Sequence, residues 1–209
     1  MSLVDRAKNI LLSPKTEWDV IAKEDASVGG LFTGYAAILA LIPAVMSIIF
    51  LGALGMGTMG MGEAGALLGA MGMSYFVATA IVGYVLGLLV IWVVAMIVNA
   101  ITPSFNGKQD MVQATKLMVY AGTPVWVAGL VSWIPILGWL VSLAAIAYTV
   151  YLIYLGVKPV LSVPDDKVAG MTVVTVLIYI VTSIIVSMVI GAALVSMFLG
   201  GAMMSGGLT

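Results

Sequence analysis

Five long apolar runs separated by short polar segments dominate the chain. They cover about residues 31–54, 74–101, 112–133, 136–157 and 168–199. Each run is long enough for a helix that crosses a bilayer, which needs about 20 apolar residues. The pattern therefore predicts an all-α, polytopic membrane protein with one domain of five transmembrane helices.

Residues 1–30, which precede the first run, form a separate headpiece of mixed polarity. Its apolar side chains recur at helical spacing, and Asp5, Arg6, Lys8 and Asn9 occupy the other face of the same segment. An amphipathic helix of this kind lies in the headgroup region of a membrane. We expect this N-terminal interfacial helix to end at Ser13-Pro14 and a second short helix to follow.

Three headpiece residues are candidates for an interfacial anchor, namely Arg6, Lys8 and Trp18. Basic side chains and Trp are typical of the membrane–water boundary, where an amphipathic ring has both apolar and polar surroundings. The alternative interpretation is a motif that docks a partner.

Proline residues within the apolar runs predict local breaks. Pro43 and Pro124 each remove one backbone hydrogen bond from a helix. At Pro124 the freed carbonyl lies near Tyr120, and we expect Thr123 or a neighbouring helix to satisfy it. The third and fourth runs are almost contiguous, so they predict a tight helical hairpin with Trp133 and Trp139 at its outer end.

The composition agrees with a lipid environment and excludes several chemistries. Of the 209 residues 63% are hydrophobic and 8% are charged, and both His and Cys are absent. Without these residues the chain has no imidazole base, no thiol nucleophile and no disulfide. The predicted spans also contain no acidic group, so we expect no enzyme, no cofactor and no proton-coupled transporter. No basic patch indicates a nucleic-acid partner.

The basic residues all fall on one side of the predicted membrane. The chain has eight of them, and they lie in the headpiece, in the second loop and in the loop before the last run: Arg6, Lys8, Lys15, Lys23, Lys108, Lys116, Lys158 and Lys167. Loops rich in Lys and Arg stay in the cytoplasm. This distribution predicts a cytoplasmic N-terminus, an external tail over residues 200–209 and a location in the bacterial inner membrane.

Several segments resemble the bacterial branch of the Yip family. They are the headpiece Arg6-Ala-Lys-Asn-Ile-Leu-Leu-Ser-Pro-Lys-Thr-Glu-Trp18, the stretch Ala114 to Pro124, and Tyr151-Leu-Ile-Tyr154-Leu-Gly156-Val157. The resemblance implies a five-span helical fold with a cytosolic N-terminus. Eukaryotic members associate with small prenylated GTPases in vesicle traffic. Because the headpiece contains no acidic Tyr-Gly-Pro motif and no long cytosolic region, GTPase binding is not carried over.

Polar residues near the inner ends of the second and third spans form the main candidate site. They are Asn99, Thr102, Gln113, Lys116, Tyr120, Thr123 and Pro124. Polar groups at membrane depth are costly and usually face a bundle interior or a cavity. We expect a cytoplasm-facing pocket for a headgroup, a solute or a partner. In the alternative, Lys116 extends to the interface and Asn99 caps a helix end.

Two further patterns have competing interpretations. Hydroxyl residues recur every three or four positions along the fifth span and favour helix packing over a solute pathway or an oligomer seam: Thr172, Thr175, Tyr179, Thr182, Ser183 and Ser187. The outer loop contains Met56, Met59, Met61, Met71 and Met73. Thioethers suit Cu(I), but Met is also a flexible apolar filler, so metal binding is a minor hypothesis.

These features together predict a non-enzymatic protein that organises the membrane or acts as a scaffold for lipids and partners. We expect it to form homo- or hetero-oligomers with membrane proteins. The alternative is a passive channel or transporter for a small solute.

Overall fold

A computed structural model describes the backbone of residues 1–53, 72–134 and 136–206, and within them the regular structure is entirely helical. The headpiece consists of α1 (Leu3–Leu12) and α2 (Pro14–Lys23). Helix α3 begins at Val28 and ends at Ala53. It has two α-helical stretches, Val28–Leu31 and Ala37–Met46, and each is followed by a π-helical stretch, Phe32–Ala36 and Ser47–Ala53.

The remaining helices form the rest of the bundle. Helix α4 (Gly72–Ile101) runs into a short 3₁₀ turn, Thr102–Phe105. They are followed by α5 (Met111–Ala121), α6 (Thr123–Ala128), α7 (Leu137–Leu161) and α8 (Asp165–Gly206). Helix α8 therefore continues through most of the predicted external tail.

Four helices of the described chain are long and apolar enough to cross a membrane, which are Val28–Phe50, Met73–Phe105, Leu137–Leu161 and Asp165–Val189. The residues predicted to form the third span do not form one long helix. Its residues form α5 and α6, which have 11 and 6 residues and meet at Gly122. Each piece is shorter than the roughly 20 residues that a straight span requires.

Pro124 explains the break between α5 and α6. It lies in the first turn of α6 and has no N–H to donate to the carbonyl of Tyr120. The hydroxyl of Thr123 donates to that carbonyl instead, at 2.7 Å. The expectation that Thr123 satisfies the freed carbonyl is confirmed.

Helix α5 occupies the middle of the bundle. Every residue from Ala114 to Ala121 is buried, although several are polar. A helix that is buried on all sides has protein neighbours all round. Here those neighbours are α4, α7, the start of α3 and the headpiece.

The headpiece packs onto the bundle. Ile10, Trp18 and Ile21 are fully buried, and the hydroxyl of Tyr148 on α7 donates to the carbonyl of Leu11 at 2.7 Å. The sequence predicted that Trp18 lies at the membrane interface, whereas in the structure its side chain is buried against the bundle. Protein covers the indole ring, because α2 packs on α7 where Gly156 leaves space for it.

The loop before α5 and the end of α7 meet at the end of the bundle where the headpiece lies. The N–H of Lys108 donates to the carbonyl of Leu161 at 2.8 Å, which joins the loop before α5 to the end of α7. Gly107 is required there, since a Cβ would lie 2.6 Å from the Thr102 methyl and 2.8 Å from the Leu161 carbonyl oxygen. The loop is thus held tightly against the helix ends.

Most of the Met-rich outer loop lies outside the described residues. Met56, Met59, Met61 and Met71 belong to that part, and Met73 lies in the first turn of α4 with 43% exposure. Copper binding stays a prediction.

Gly156→Ala provides a test of the headpiece docking. The new methyl would lie 2.6 Å from Leu117 Cδ1 and 2.9 Å from the Trp18 ring. Overpacking of this kind costs about 1–3 kcal/mol, more than the gain of up to about 1 kcal/mol that Ala brings to a helix. We expect a lower melting temperature in detergent micelles. Gly34→Ala is the control because no atom lies within 4 Å of its Cβ position; an equal loss in both variants would contradict the packing.

Candidate functional site

Two predicted pocket residues on α5 hold the end of α2. The Lys116 ammonium donates to the carbonyls of Ile21 and Glu24, at 2.8 and 2.5 Å. The Gln113 amide donates to the carbonyl of Ala22 at 3.0 Å. The last carbonyls of a helix have no partner within it and carry partial negative charge, so a cation is favourable there. Lys116 is 2% exposed, so it caps α2 and does not extend to an interface.

Arg6 lies at the centre of a buried ionic cluster. Its guanidinium forms ion pairs with Glu17 and Glu24, and its Cζ lies 5.5 Å from the centre of the Tyr120 ring. Arg6 and Glu17 are each 5% exposed. We call Arg6, Glu17, Glu24, Lys116 and Tyr120 the headpiece lock, because they join α1, α2 and α5.

The lock keeps Arg6 charged. Burial by itself lowers the pKa of Arg6, but the hydrogen bond and charge of Glu24, with the charge of Glu17, raise it above its ordinary value. A buried charge is tolerated when it is paired and hydrogen-bonded. The positive charge is therefore a permanent part of this interface.

Tyr35 connects the lock to the helix break. Because Thr123 gives its single hydroxyl proton to the Tyr120 carbonyl, the Tyr35 hydroxyl donates to Thr123 Oγ1, at 2.8 Å. The Tyr35 ring also meets the Tyr120 ring edge-on, with centroids 4.8 Å apart. Helix α3, helix α5 and the break thus share one polar and aromatic contact.

Sequence reasoning did not select Glu17, Glu24 or Tyr35. Glu17 lies in α2 and Glu24 directly follows the end of this helix, so no single helical face marked the two carboxylates. Tyr35 is one of three hydroxyl residues in the first apolar run, with Thr33 and Ser47. All three residues pair with partners that are distant along the chain, and a pattern within one segment does not reveal such pairs.

An open cleft of about 390 Å³ lies beside the lock. It is bordered by the start of α1, the end of α2, the start of α3 and Tyr120, and its lining includes Leu3, Arg6, Glu24, Asp25, Gly34 and Tyr35. Of the seven residues predicted to form a pocket, Tyr120 lines this cleft.

The other predicted pocket residues are distributed over separate structural roles. Thr123 and Pro124 form the helix break, and Gln113 and Lys116 cap α2. At the end of α4, the Thr102 hydroxyl donates to the Val98 carbonyl at 2.7 Å, and the buried Asn99 Oδ1 has no hydrogen-bond partner within the described part of the chain. The predicted pocket is thus divided between the lock, the break and the end of α4.

The predicted anchor residues also separate. Arg6 and Trp18 are buried against the bundle, whereas Lys8 is exposed. The first two therefore hold the headpiece to protein, and an anchoring role stays a prediction for Lys8.

Comparison with known families assigns the fold. The model of the Yip1 domain matches residues 8–188, which include most of the headpiece and reach well into α8. The chain belongs to the Yip1 domain family. The resemblance of the headpiece and of the stretch from Ala114 to Pro124 to the Yip family is therefore confirmed at the level of the family, and the long apolar helices mark a multi-pass membrane protein. Searches of curated proteins and of solved structures found no match.

Arg6→Met is expected to destabilise this Yip1-family protein strongly. It leaves Glu17 buried without a cation, which typically costs about 3–5 kcal/mol. The free energy of unfolding, measured by denaturant titration in micelles, should fall accordingly. The double variant Arg6→Met/Glu17→Gln removes the orphaned charge and should recover much of the loss; no recovery would argue against the ion pair as the cause.

Lys116→Met tests the cap on α2. The substitution leaves the carbonyls of Ile21 and Glu24 without their donor, and we expect a loss of about 1–3 kcal/mol. Protease cleavage in the headpiece should become faster. Lys158→Met is the matched control, since Lys158 pairs with Asp165 on the surface and is 60% exposed. Equal protease resistance of the wild type and Lys116→Met would contradict the capping role.

Proposed function

We propose that this protein is a non-enzymatic scaffold of the bacterial inner membrane that binds lipids and membrane-protein partners through its headpiece. The observation that carries the proposal is the headpiece lock. It fixes α1 and α2 as a rigid platform on the bundle, and the outward face of that platform is free for recognition.

A contact at the far end of α3 supports our proposal of a fifth span in addition to the four long helices. The ring of Phe50, at the end of α3, stacks on that of Trp133, with centroids 3.8 Å apart and an interplanar angle of 4°. The chain from Met111 to Trp133 therefore runs from the headpiece end to the far end of α3. We infer that α5 and α6 together form a broken third span.

The positions of the basic residues support a cytoplasmic headpiece. Lys116 contacts α2, Lys108 lies in the loop that bonds to the end of α7, and Lys158 pairs with Asp165 at the start of α8. These contacts gather the basic residues at the headpiece end. By the positive-inside rule, that end faces the cytoplasm, and with five spans the C-terminus lies outside.

The outward face of α1 is the proposed recognition surface. Val4 and Leu12 are 70% and 72% exposed, and Lys8 lies between them at helical spacing, on the same face. A helix face that presents apolar side chains beside a basic one suits contact with the membrane–water boundary. The exposed headpiece lysines are balanced by Asp5, Asp19 and Asp25, so apolar contact contributes more here than net charge.

Photo-crosslinking in native membranes tests this surface. A photoreactive amino acid at Leu12 should give adducts of defined mass with lipid or with a membrane protein. The same group at Ala26, which is exposed in the loop after α2, is the control and should give few. Identical adduct patterns at both positions would contradict a specific surface on α1.

Flux measurements distinguish the scaffold from a passive channel. The purified protein in liposomes should transport ions, sugars and amino acids no faster than protein-free liposomes do. Selective flux of one solute that is lost on heat denaturation would overturn the scaffold proposal.

A further inference from the structure

A largely apolar cavity lies within the bundle, away from the headpiece surface. It has a volume of about 370 Å³ and is bordered by α4, the break between α5 and α6, α7 and α8. Its wall includes Ile91, Gly122, Trp126, Thr149, Tyr179 and Ser183. This volume falls in the range of small-molecule sites, which combine an apolar lining with a few polar groups.

Thr149 on α7 and Thr175 on α8 differ from most other threonines in the described helices. The hydroxyls of Thr33, Thr79, Thr102, Thr115 and Thr172 each donate to the carbonyl four residues earlier, at 2.7–2.9 Å. The hydroxyls of Thr149 and Thr175 are buried and have no hydrogen-bond partner among the described residues, and of the two it is Thr149 that borders the cavity. An unpaired buried hydroxyl costs free energy, which a ligand with a hydrogen-bonding group would recover.

Two hydroxyls of α8 border the same cavity. Tyr179 and Ser183 are one turn apart and lie on one face of this helix. A hydroxyl can both donate and accept a hydrogen bond, so either group can bond a carbonyl or a hydroxyl. The cavity thus offers hydroxyl groups on two helices to a polar group between them.

The cavity is reached from the lipid side. A neighbouring cleft shares Tyr179 and Ser183 with it and also borders Gly83 and Gly87 on α4. Among the described residues, no atom lies within 4 Å of a Cβ position at either glycine. Although α4 and α8 pack together elsewhere, these two positions leave a lateral gap beside the cavity.

The charge and depth of the cavity restrict its occupant. All the residues described along its wall are uncharged, and Thr149 is equally far from both ends of α7, about 18 Å from each. A phosphate headgroup would lose its hydration there without any cation to replace it. A carbonyl or hydroxyl group would instead meet the hydroxyls of the wall.

We propose that this cavity binds an uncharged membrane lipid whose polar end is a carbonyl or hydroxyl group, held between Thr149 and the Tyr179–Ser183 pair. Diacylglycerol and isoprenoid quinones share this chemistry. The site is separate from the surface of α1 and does not depend on the scaffold proposal.

Photolabelling of the full chain in nanodiscs tests the site. The probe is diacylglycerol with a diazirine in one acyl chain, and labelled peptides should come from α6, α7 and α8. Thr149→Val keeps the shape of the side chain and removes one hydrogen bond, so labelling should fall about twofold to tenfold. Thr33→Val is the control, since that hydroxyl bonds its own helix.

Closure of the lateral gap gives an independent variant. Gly87→Leu fills the open space on α4 and should reduce labelling, whereas Gly191→Leu, on α8 and also without an atom within 4 Å of its Cβ position, should not. Melting temperatures measured alongside show that both proteins are folded. Equal labelling of Gly87→Leu and Gly191→Leu would contradict entry through this gap.

Competition identifies the ligand chemistry. Unlabelled diacylglycerol should displace the probe, and phosphatidylglycerol should not. If ubiquinone also displaces the probe, the ligand is a quinone; if ubiquinone does not, the ligand is diacylglycerol. Unchanged labelling of Thr149→Val, or equal displacement by phosphatidylglycerol, would overturn the proposal and indicate general lipid contact.

Discussion

The burial of charge between the headpiece and α5 is the constraint on which the rest of the structure depends. Arg6, Glu17 and Lys116 are taken out of water, which is unfavourable unless each finds a partner. Arg6 lies between Glu17 and Glu24, and Lys116 occupies the carbonyl end of α2. Because these partners come from different segments, the lock forms only when α1, α2 and α5 are all in place.

The apolar runs predicted the helices well, and the local chemistry at Pro124 was also foreseeable. Helices α4, α7 and α8 begin within about three residues of the expected positions, since their limits follow from hydropathy. The short helices α5 and α6 were expected as one span, because hydropathy does not show that a helix is interrupted. Pro124 indicated where a break could occur, and the Thr123 hydroxyl supplied the replacement hydrogen bond.

The candidate site was less predictable because its residues act between segments. The amphipathic pattern of the headpiece correctly marked one apolar face, but periodicity does not say whether lipid or protein covers that face. Trp18 is covered by protein, since Gly156 leaves room for its ring. Lys116 was selected as a polar residue at membrane depth, yet its partners are backbone carbonyls, and these carry no signature in the amino-acid sequence.

The hydrogen-bond chain from Tyr35 through Thr123 to the Tyr120 carbonyl places the lock next to the bundle cavity. It stabilises the break between α5 and α6 from the headpiece side, and the opposite side of that break, at Gly122 and Trp126, forms part of the cavity wall. A continuous helix through Gly122 would follow another path and change this wall. The same interruption that shortens the third span therefore shapes the cavity between α4, α7 and α8.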